Sequence, residues 1–281
     1  MEKLKIILAG TPVFSVPIFE EVIQNFDVIA IISQPDKPAN RGYKLEPTPA
    51  KLLGEKYGIK VYQPNKISEI YDELAQIDFD ILLTCAFGQI IPQKVLDLPK
   101  KAALNIHGSL LPKYRGAAPI QYAIWNGDNI TGISLMYMVK AMDAGDVITT
   151  VSTPILDSDT SDSMFEKISL LAKENITEWL NNFAAGKYTP TPQDETLVTM
   201  SPKLNKEDAL LKPEESLNEA FNKIRAFSSN PGAYYILQGK RVKIYYASKT
   251  KIPAGLKLQF ADGILYATDY QFETKKRVKV A

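Results

Sequence analysis

The chain has 281 residues, of which 45% are hydrophobic and 23% are charged, a composition typical of a globular protein large enough for two domains. It opens on a short apolar run, without a signal peptide or the roughly 20 apolar residues of a membrane helix, so we expect a cytoplasmic protein. With one cysteine and one histidine, the chain can form neither an internal disulfide nor a Cys/His metal site. Cys85 lies in an apolar run and is predicted to be a buried strand residue.

The formal net charge of +1 hides an uneven distribution. Residues 1–230 carry 23 basic and 29 acidic side chains, whereas residues 231–281 carry 10 basic and 3 acidic ones. A basic segment of this kind attracts polyanions through its electric field and through counterion release. On charge alone, a solvated surface that serves only solubility is an equally good interpretation.

Short apolar runs alternate with helical patterns in the first part of the chain. Strands are predicted at 5–9, 28–33, 60–62, 80–86, 102–106, 133–138 and 147–151, and helices at 16–26, 48–57, 67–77 and 160–186. Because the runs are apolar on both faces, they predict an α/β domain with a mostly parallel sheet and helices on both faces. For the last helix we predict a capping box at Ser163 and Glu166 and an end at Gly186.

The pattern changes after residue 187. Prolines at 190 and 192 predict an extended linker over 188–206. A helix begun by Pro213 is predicted at 214–227, followed by strands at 233–237, 242–247, 256–260, 264–269 and 277–280, with turns at Gln238-Gly239 and Asp262-Gly263. Short strands in series after one helix predict a small C-terminal β-barrel. The predicted domains are therefore residues 1–187 and 207–281.

The histidine, His107, follows Asn105 by two residues at the carboxyl end of a predicted strand, where open parallel sheets bind ligands. Residues two apart on a strand project to the same side. An amide and an imidazole presented together can donate hydrogen bonds to the oxyanion that forms when a nucleophile adds to a carbonyl. A histidine satisfied by backbone groups is the alternative. The first turn, at 10–14, lacks the glycines of a dinucleotide loop and no Walker sequence occurs, which disfavours cofactors that need either loop.

The stretch LNIHGSLLPKYRGAAP at 104–119, followed by MDAGD at 142–146, resembles the signature of the folate-dependent formyltransferases, N-x-H-x-S-L-L-P with a later D-A-G. The resemblance covers nearly the whole chain and is closest for members that act on aminoacyl-tRNA. It implies a Rossmann-like catalytic domain and an OB-like C-terminal barrel that binds tRNA. By this likeness Asn105, His107 and Asp143 are the catalytic residues, and Asp143, not Asp146, matches the D-A-G aspartate.

The resemblance implies transfer of the formyl group of 10-formyltetrahydrofolate to the α-amino group of methionine on initiator tRNA, by a monomer without a metal. Asn105 and protonated His107 would stabilise the oxyanion of a tetrahedral intermediate, while Asp143 orients and charges the imidazole. The residues expected to hold the folate are Ser109, Leu110, Leu111, Pro112, Phe87, Gly88 and Gln89. Those expected to bind tRNA are Lys37, Arg41 and Lys44 in the long loop 36–49, and Lys240, Arg241 and Lys243.

Other acceptors and another class of function stay open. Glycinamide ribonucleotide and sugar-nucleotide N-formyltransferases carry the same three residues. The basic C-terminal segment with its interspersed aromatic residues favours an oligonucleotide, although aromatic residues in a barrel are more often core. A catalytically silent RNA-binding protein is the alternative from a different class, and the intact trio argues against it. The tail is shorter than the resemblance predicts, so we expect an abbreviated barrel.

Overall fold

The computed structural model describes residues 3–39 and 44–280. For Ala39 and Lys44 it describes the backbone only. The described residues divide into two compact units. The first unit consists of the chain up to Arg115 together with Gly132–Val151 and Glu166–Thr199. The second consists of Gly116–Thr131, Ser152–Phe165 and the chain from Met200 onward. The domain limits at 187 and 207 stay a prediction.

The described elements follow one another as the alternating pattern predicts. The helices are α1 (Val16–Asn25), α2 (Pro49–Tyr57), α3 (Tyr71–Ala75), α4 (Gln93–Leu96), α5 (Pro119–Trp125), α6 (Ser161–Ala184) and α7 (Leu217–Phe227). The strands are β1 (Lys5–Gly10), β2 (Asp27–Ile32), β3 (Lys37–Ala39), β4 (Lys44–Glu46), β5 (Lys60–Tyr62), β6 (Ile81–Cys85), β7 (Ala102–His107), β8 (Arg115–Gly116), β9 (Ile130–Tyr137), β10 (Val147–Pro154), β11 (Met200–Ser201), β12 (Ala233–Leu237), β13 (Lys240–Ser248), β14 (Leu256–Phe260), β15 (Gly263–Phe272) and β16 (Val278–Lys279). Among the described helices, none combines the length and apolar character needed to cross a bilayer.

The central sheet has the strand order β10-β9-β7-β6-β1-β2-β5. The pairs β1–β2, β1–β6, β2–β5 and β6–β7 are parallel, and β7–β9 is antiparallel. The predicted mostly parallel sheet is therefore confirmed. The chain builds outward from β1 through β2 to β5 and then returns to β6 on the other side of β1. Ligands bind beyond the carboxyl ends of the strands at such a reversal, which is the edge where β7 ends at His107.

The central strands owe their burial to uninterrupted apolar runs. All five residues of β6 are buried, as a strand covered on both faces requires. Cys85 is one of them and is fully buried, which confirms its predicted place. Burial raises the pKa of the Cys85 thiol, so the thiol stays protonated and is a poor nucleophile at neutral pH.

Two predicted helix caps are wrong, because other side chains cap the helices. The capping box of α6 was expected at Ser163 and Glu166, but the backbone N–H of Thr160 donates to Ser163 Oγ at 3.0 Å and that of Ser163 donates to Thr160 Oγ1 at 3.4 Å. Helix α7 begins after Ser216 and not at residue 214. Its capping box pairs Ser216 with Glu219, whose carboxylate accepts from the Ser216 N–H at 2.8 Å. Helix α6 ends at Ala184, two residues before the predicted end, and Gly186 follows with a left-handed φ of 66°.

The predicted helix at 67–77 is wrong in its first half. A 3₁₀ helix occupies Ile67–Ile70, and α3 covers only Tyr71–Ala75. The loop predicted at 36–49 contains the antiparallel pair β3–β4, which alternating hydrophobicity does not announce because the strands have three residues each.

The C-terminal strands form an antiparallel sheet in the order β12-β13-β15-β14, with β16 paired to β15. This half-barrel is the architecture predicted for the basic segment. The turn at Gln238-Gly239 is confirmed, since both residues have the positive φ, 48° and 74°, of a two-residue hairpin turn. The turn at Asp262-Gly263 is one residue out, because Phe260 pairs with Gly263 and leaves Ala261 and Asp262 as the turn.

Candidate active site

His107 ends β7 with its imidazole nearly buried, at 5% exposure. Its Nε2 lies 2.8 Å from the carbonyl oxygen of Tyr114. A carbonyl oxygen only accepts hydrogen bonds, so Nε2 carries a proton and donates it to Tyr114. The other ring nitrogen, Nδ1, lies 3.7 Å from Asp143 Oδ2.

Asp143 lies in the turn between β9 and β10 with a left-handed φ of 50°. This conformation is unfavourable for a residue with a Cβ, so surrounding contacts must hold it. Two residues on, Gly145 comes so close to the backbone of Tyr137 that an added Cβ would overlap the Tyr137 carbonyl oxygen. The D-A-G sequence therefore needs its glycine for a close approach of two backbone segments.

Asn105 is half-buried on β7, on the same side of the strand as His107. The buried Thr84, its register partner on β6, donates from Oγ1 to Asn105 Oδ1 at 2.6 Å. This hydrogen bond occupies the carboxamide oxygen and sets the orientation of the amide. The Nδ2 group, which has two N–H donors, is thereby turned to the opposite side of the carboxamide.

The loop after β7 is built around the buried hydroxyl of Ser134. Ser134 Oγ donates to the Ser109 carbonyl oxygen at 2.7 Å and accepts from the Leu111 N–H at 3.1 Å. Ser109 Oγ donates to the Lys113 carbonyl oxygen at 2.6 Å. Leu110 and Pro112 are half-buried, while Leu111 is buried. The four residues expected to hold the folate thus lie in a fixed loop beside His107.

The second expected folate segment follows β6. Phe87 is buried, and its carbonyl oxygen accepts from Thr11 Oγ1 at 2.9 Å. The Gly88 carbonyl oxygen accepts from Gln34 Nε2 at 3.0 Å. The carboxamide of Gln89 accepts from the Ile67 N–H at 2.8 Å and donates to the Pro64 carbonyl at 3.0 Å. The Gln89 side chain is therefore committed to the 64–67 backbone.

The basic residues expected to bind tRNA are divided between the two units. In the first, Lys37 donates to Gln34 Oε1 at 2.9 Å, Lys44 pairs with Ala39 through its backbone, and Arg41 lies outside the described residues. In the second, Lys240 is exposed at the start of β13. There, the Arg241 guanidinium lies 3.9 Å from the Tyr234 ring centroid, and Lys243 donates to the Pro231 carbonyl at 3.1 Å.

Sequence reasoning placed Thr84 in the wall of the folate pocket but missed three residues that shape this site: Tyr114, Arg115 and Gln193. Tyr114 contributes through its carbonyl, which carries no residue-type signal. Gln193 Nε2 donates to the carbonyl oxygens of Asp143 and Gly145 at 2.8 and 2.7 Å, across about 50 residues of sequence. Over 3–39 and 44–280, no group of three potential His, Cys, Asp or Glu ligands is placed to hold a metal.

Two family models match this chain. A formyl transferase family model matches residues 3–180, and a model of the formyl transferase C-terminal domain matches residues 203–281. A methionyl-tRNA formyltransferase of Mycoplasmopsis pulmonis is 52% identical over 278 residues, which are 99% of this chain and 96% of that protein. One of Lactobacillus gasseri is 44% identical, over 89% of this chain and 82% of that protein.

Solved structures share the fold at lower identity. The N-formyltransferase of Helicobacter canadensis, in complex with folinic acid and dTDP-3-aminofucose, superposes with a TM-score of 0.70 at 19% identity. The alignment covers 95% of this chain and 99% of that one. From the two family models and these relatives, we conclude that the chain belongs to the formyl transferase family.

Proposed function

We propose that this protein transfers the formyl group of 10-formyltetrahydrofolate to the α-amino group of methionine esterified to initiator tRNA. The observation that carries the proposal is the pairing of His107 with Asp143 at 3.7 Å beside Asn105, in a chain 52% identical to a methionyl-tRNA formyltransferase. We also propose that the enzyme is a cytoplasmic monomer.

In this proposal the three side chains act on charge and protons. The amide of Asn105 donates to the formyl oxygen, where negative charge develops as the amine adds. His107, protonated at Nδ1 and paired with Asp143, supplies positive charge at the same place. An α-amino group with an ordinary pKa of about 7.7–8.0 is partly neutral near pH 7. As its nitrogen bonds to the formyl carbon, the bond from that carbon to N10 of the folate breaks, and Asp143 relays the proton that the amine loses, through water, to the departing N10.

The residues expected to hold the folate fit a flat heterocycle with polar edges. Leu110 and Pro112 provide half-buried apolar surface, and Phe87 lies buried at the neighbouring strand end. The carbonyl of Gly88 is held by Gln34, which fixes a backbone polar group in the same segment. When bound, the folate supplies the formyl carbon, and these residues hold it against the end of β7.

Sugar-nucleotide N-formyltransferases are the second candidate, because several solved structures that share the fold have that activity. Their identities of 19% and 22% support the fold and not the acceptor. The deciding experiment offers the enzyme 10-formyltetrahydrofolate with methionyl initiator tRNA, a dTDP-amino sugar or glycinamide ribonucleotide. We expect formylation of the tRNA alone. Formylation of only a small acceptor would overturn the proposal, and no transfer to any acceptor would favour the silent RNA-binding protein.

The basic residues on β13 give a separate prediction about salt. Replacing Lys240 and Lys243 with glutamine should weaken tRNA binding and lower the slope of log K against log salt by about one for each phosphate that the variant no longer neutralises. Binding titrations over a series of salt concentrations measure this slope. Lys100→Gln is the control, since this exposed lysine precedes β7 at the edge of the sheet opposite His107. An unchanged slope in the β13 variant would remove these lysines from the tRNA interface.

A further inference from the structure

We propose that Gln193 is a positioning residue, whose carboxamide holds the D-A-G turn so that the Asp143 carboxylate faces His107 Nδ1. This inference rests on the proposed function and deepens it. Gln193 lies beyond α6 in a proline-containing stretch of irregular backbone. The residue takes no part in the chemistry as described above.

The polar groups of the Gln193 side chain are committed to this region. Nε2 donates to the carbonyl oxygens of Asp143 at 2.8 Å and Gly145 at 2.7 Å, the outer residues of the turn. Oε1 accepts from Arg115 Nε at 2.9 Å. Because the amide donates to two carbonyls and accepts from a guanidinium, no other uncharged side chain of this length reproduces the pattern.

Arg115 anchors this arrangement. It is 6% exposed, and its guanidinium donates to the two carboxylate oxygens of Glu195 at 2.8 and 3.3 Å. This pairing lowers the pKa of the Glu195 carboxyl below its ordinary value, so this carboxylate stays ionised at neutral pH. The planar guanidinium thereby fixes the direction from which Gln193 approaches the turn.

The segment that follows Gln193 also supports His107. The Tyr114 N–H donates to Thr199 Oγ1 and the Arg115 N–H to the Thr199 carbonyl, both at 2.9 Å. The Tyr114 carbonyl in turn accepts from His107. Residues 193–199, which we call the brace, thus hold the Asp143 turn through Gln193 and the hydrogen-bond partner of His107 through Thr199. One segment sets the position of both members of the pair.

The pair needs such support. Asp143 has its left-handed φ of 50° and Tyr114 one of 64°, and conformations of this kind persist only where surrounding structure holds them. The gap between Nδ1 and Oδ2 is 3.7 Å, and a displacement of about 1 Å at a reacting group can cost on the order of 10²-fold in rate. Releasing two hydrogen bonds from the turn frees the Asp143 backbone to move by that amount.

The experiment compares Gln193→Glu and Gln193→Met with the matched control Gln24→Glu, which changes an exposed glutamine on α1. Gln193→Glu keeps the shape but directs a carboxylate oxygen at two carbonyls, while Gln193→Met removes the polar groups. We expect kcat for formylation to fall by roughly 30–100-fold in both variants, with KM for tRNA within about threefold, and no change in the control.

A second readout needs no substrate. His107 is the sole histidine of the chain, so the imidazole Hε1 resonance in the NMR spectrum belongs to this residue alone. We expect this resonance in both Gln193 variants to move toward its position in Asp143→Asn, in protein that remains folded by thermal unfolding. An unchanged resonance with kcat within twofold of wild type would overturn the inference, as would activity lost only in proportion to unfolded protein. If the wild-type protein does not formylate tRNA, the proposed function is wrong. The shift of the His107 resonance in the Gln193 variants still tests whether Gln193 positions Asp143.

Discussion

Replacing His107 with alanine should lower kcat for formyl transfer by about 10²–10³-fold, the range for removing one group that stabilises an oxyanion. The loss arises because no positive charge then stands beside the formyl oxygen. Asn105→Ala removes a donor to the same oxygen and should cost on the order of 10²–10³-fold. Single-turnover formylation of methionyl initiator tRNA measures both effects without interference from product release.

Asp143→Asn separates the role of charge from that of shape. It keeps the size of the side chain 3.7 Å from Nδ1 but removes the negative charge, so we expect a loss comparable with that of His107→Ala. Asp146→Asn is the matched control, because Asp146 is an exposed carboxylate in the same turn region. Full activity in His107→Ala, or equal losses in the two aspartate variants, would contradict the assignment of His107 and Asp143.

Gly145→Ala should damage both stability and activity, although it adds only one methyl group. The added Cβ would overlap the carbonyl oxygen of Tyr137, and since that atom is backbone, the D-A-G turn must shift. Overpacking of this kind costs about 1–3 kcal/mol of stability. A shift of about 1 Å at Asp143 adds on the order of 10²-fold loss in kcat. Thermal unfolding and formylation rates measure the two effects.

Gly58→Ala controls for the general cost of replacing a glycine. Gly58 ends α2 with φ 65°, and an added Cβ there meets no atom within 4 Å. The alanine should cost about 1–2 kcal/mol through backbone strain alone and leave kcat unchanged. If Gly145→Ala reduced activity no more than Gly58→Ala, the close packing of the turn against Tyr137 would have no catalytic importance.

The parts of this site that sequence could predict are those encoded by local pattern. The apolar run of β7 and the two polar residues at its end predict where Asn105 and His107 lie and that they share a side of the strand. At the start of α6 the sequence offers two residues, Thr160 and Ser163, that are both favourable N-caps. The sequence alone does not tell which of the two hydroxyl groups the fold places at the first turn of this helix.

Interactions between distant segments could not be predicted in the same way. Gln193 donates hydrogen bonds to the Asp143 turn across about 50 residues of sequence. Hydrophobic periodicity reveals helices and strands but does not predict a hydrogen bond between segments this far apart. The Tyr114 carbonyl that holds His107 is a backbone group, which every residue has. Thr84 was placed correctly in a buried strand, but its hydrogen bond to Asn105 depends on the register of β6 with β7.

The hydrogen bonds of Gln193 and Thr199 restrict the positions at which this chain can be joined to a relative in a chimera. A chimera that replaces the chain beyond α6 with that of a relative has an obvious junction at the end of this helix, where irregular backbone begins. A crossover there would import a foreign counterpart of residues 193–199 and disrupt the hydrogen bonds that set His107 against Asp143. Grafts joined after Thr199 keep those hydrogen bonds intact, so the chain beyond that residue can be exchanged while the pairing of His107 with Asp143 is retained.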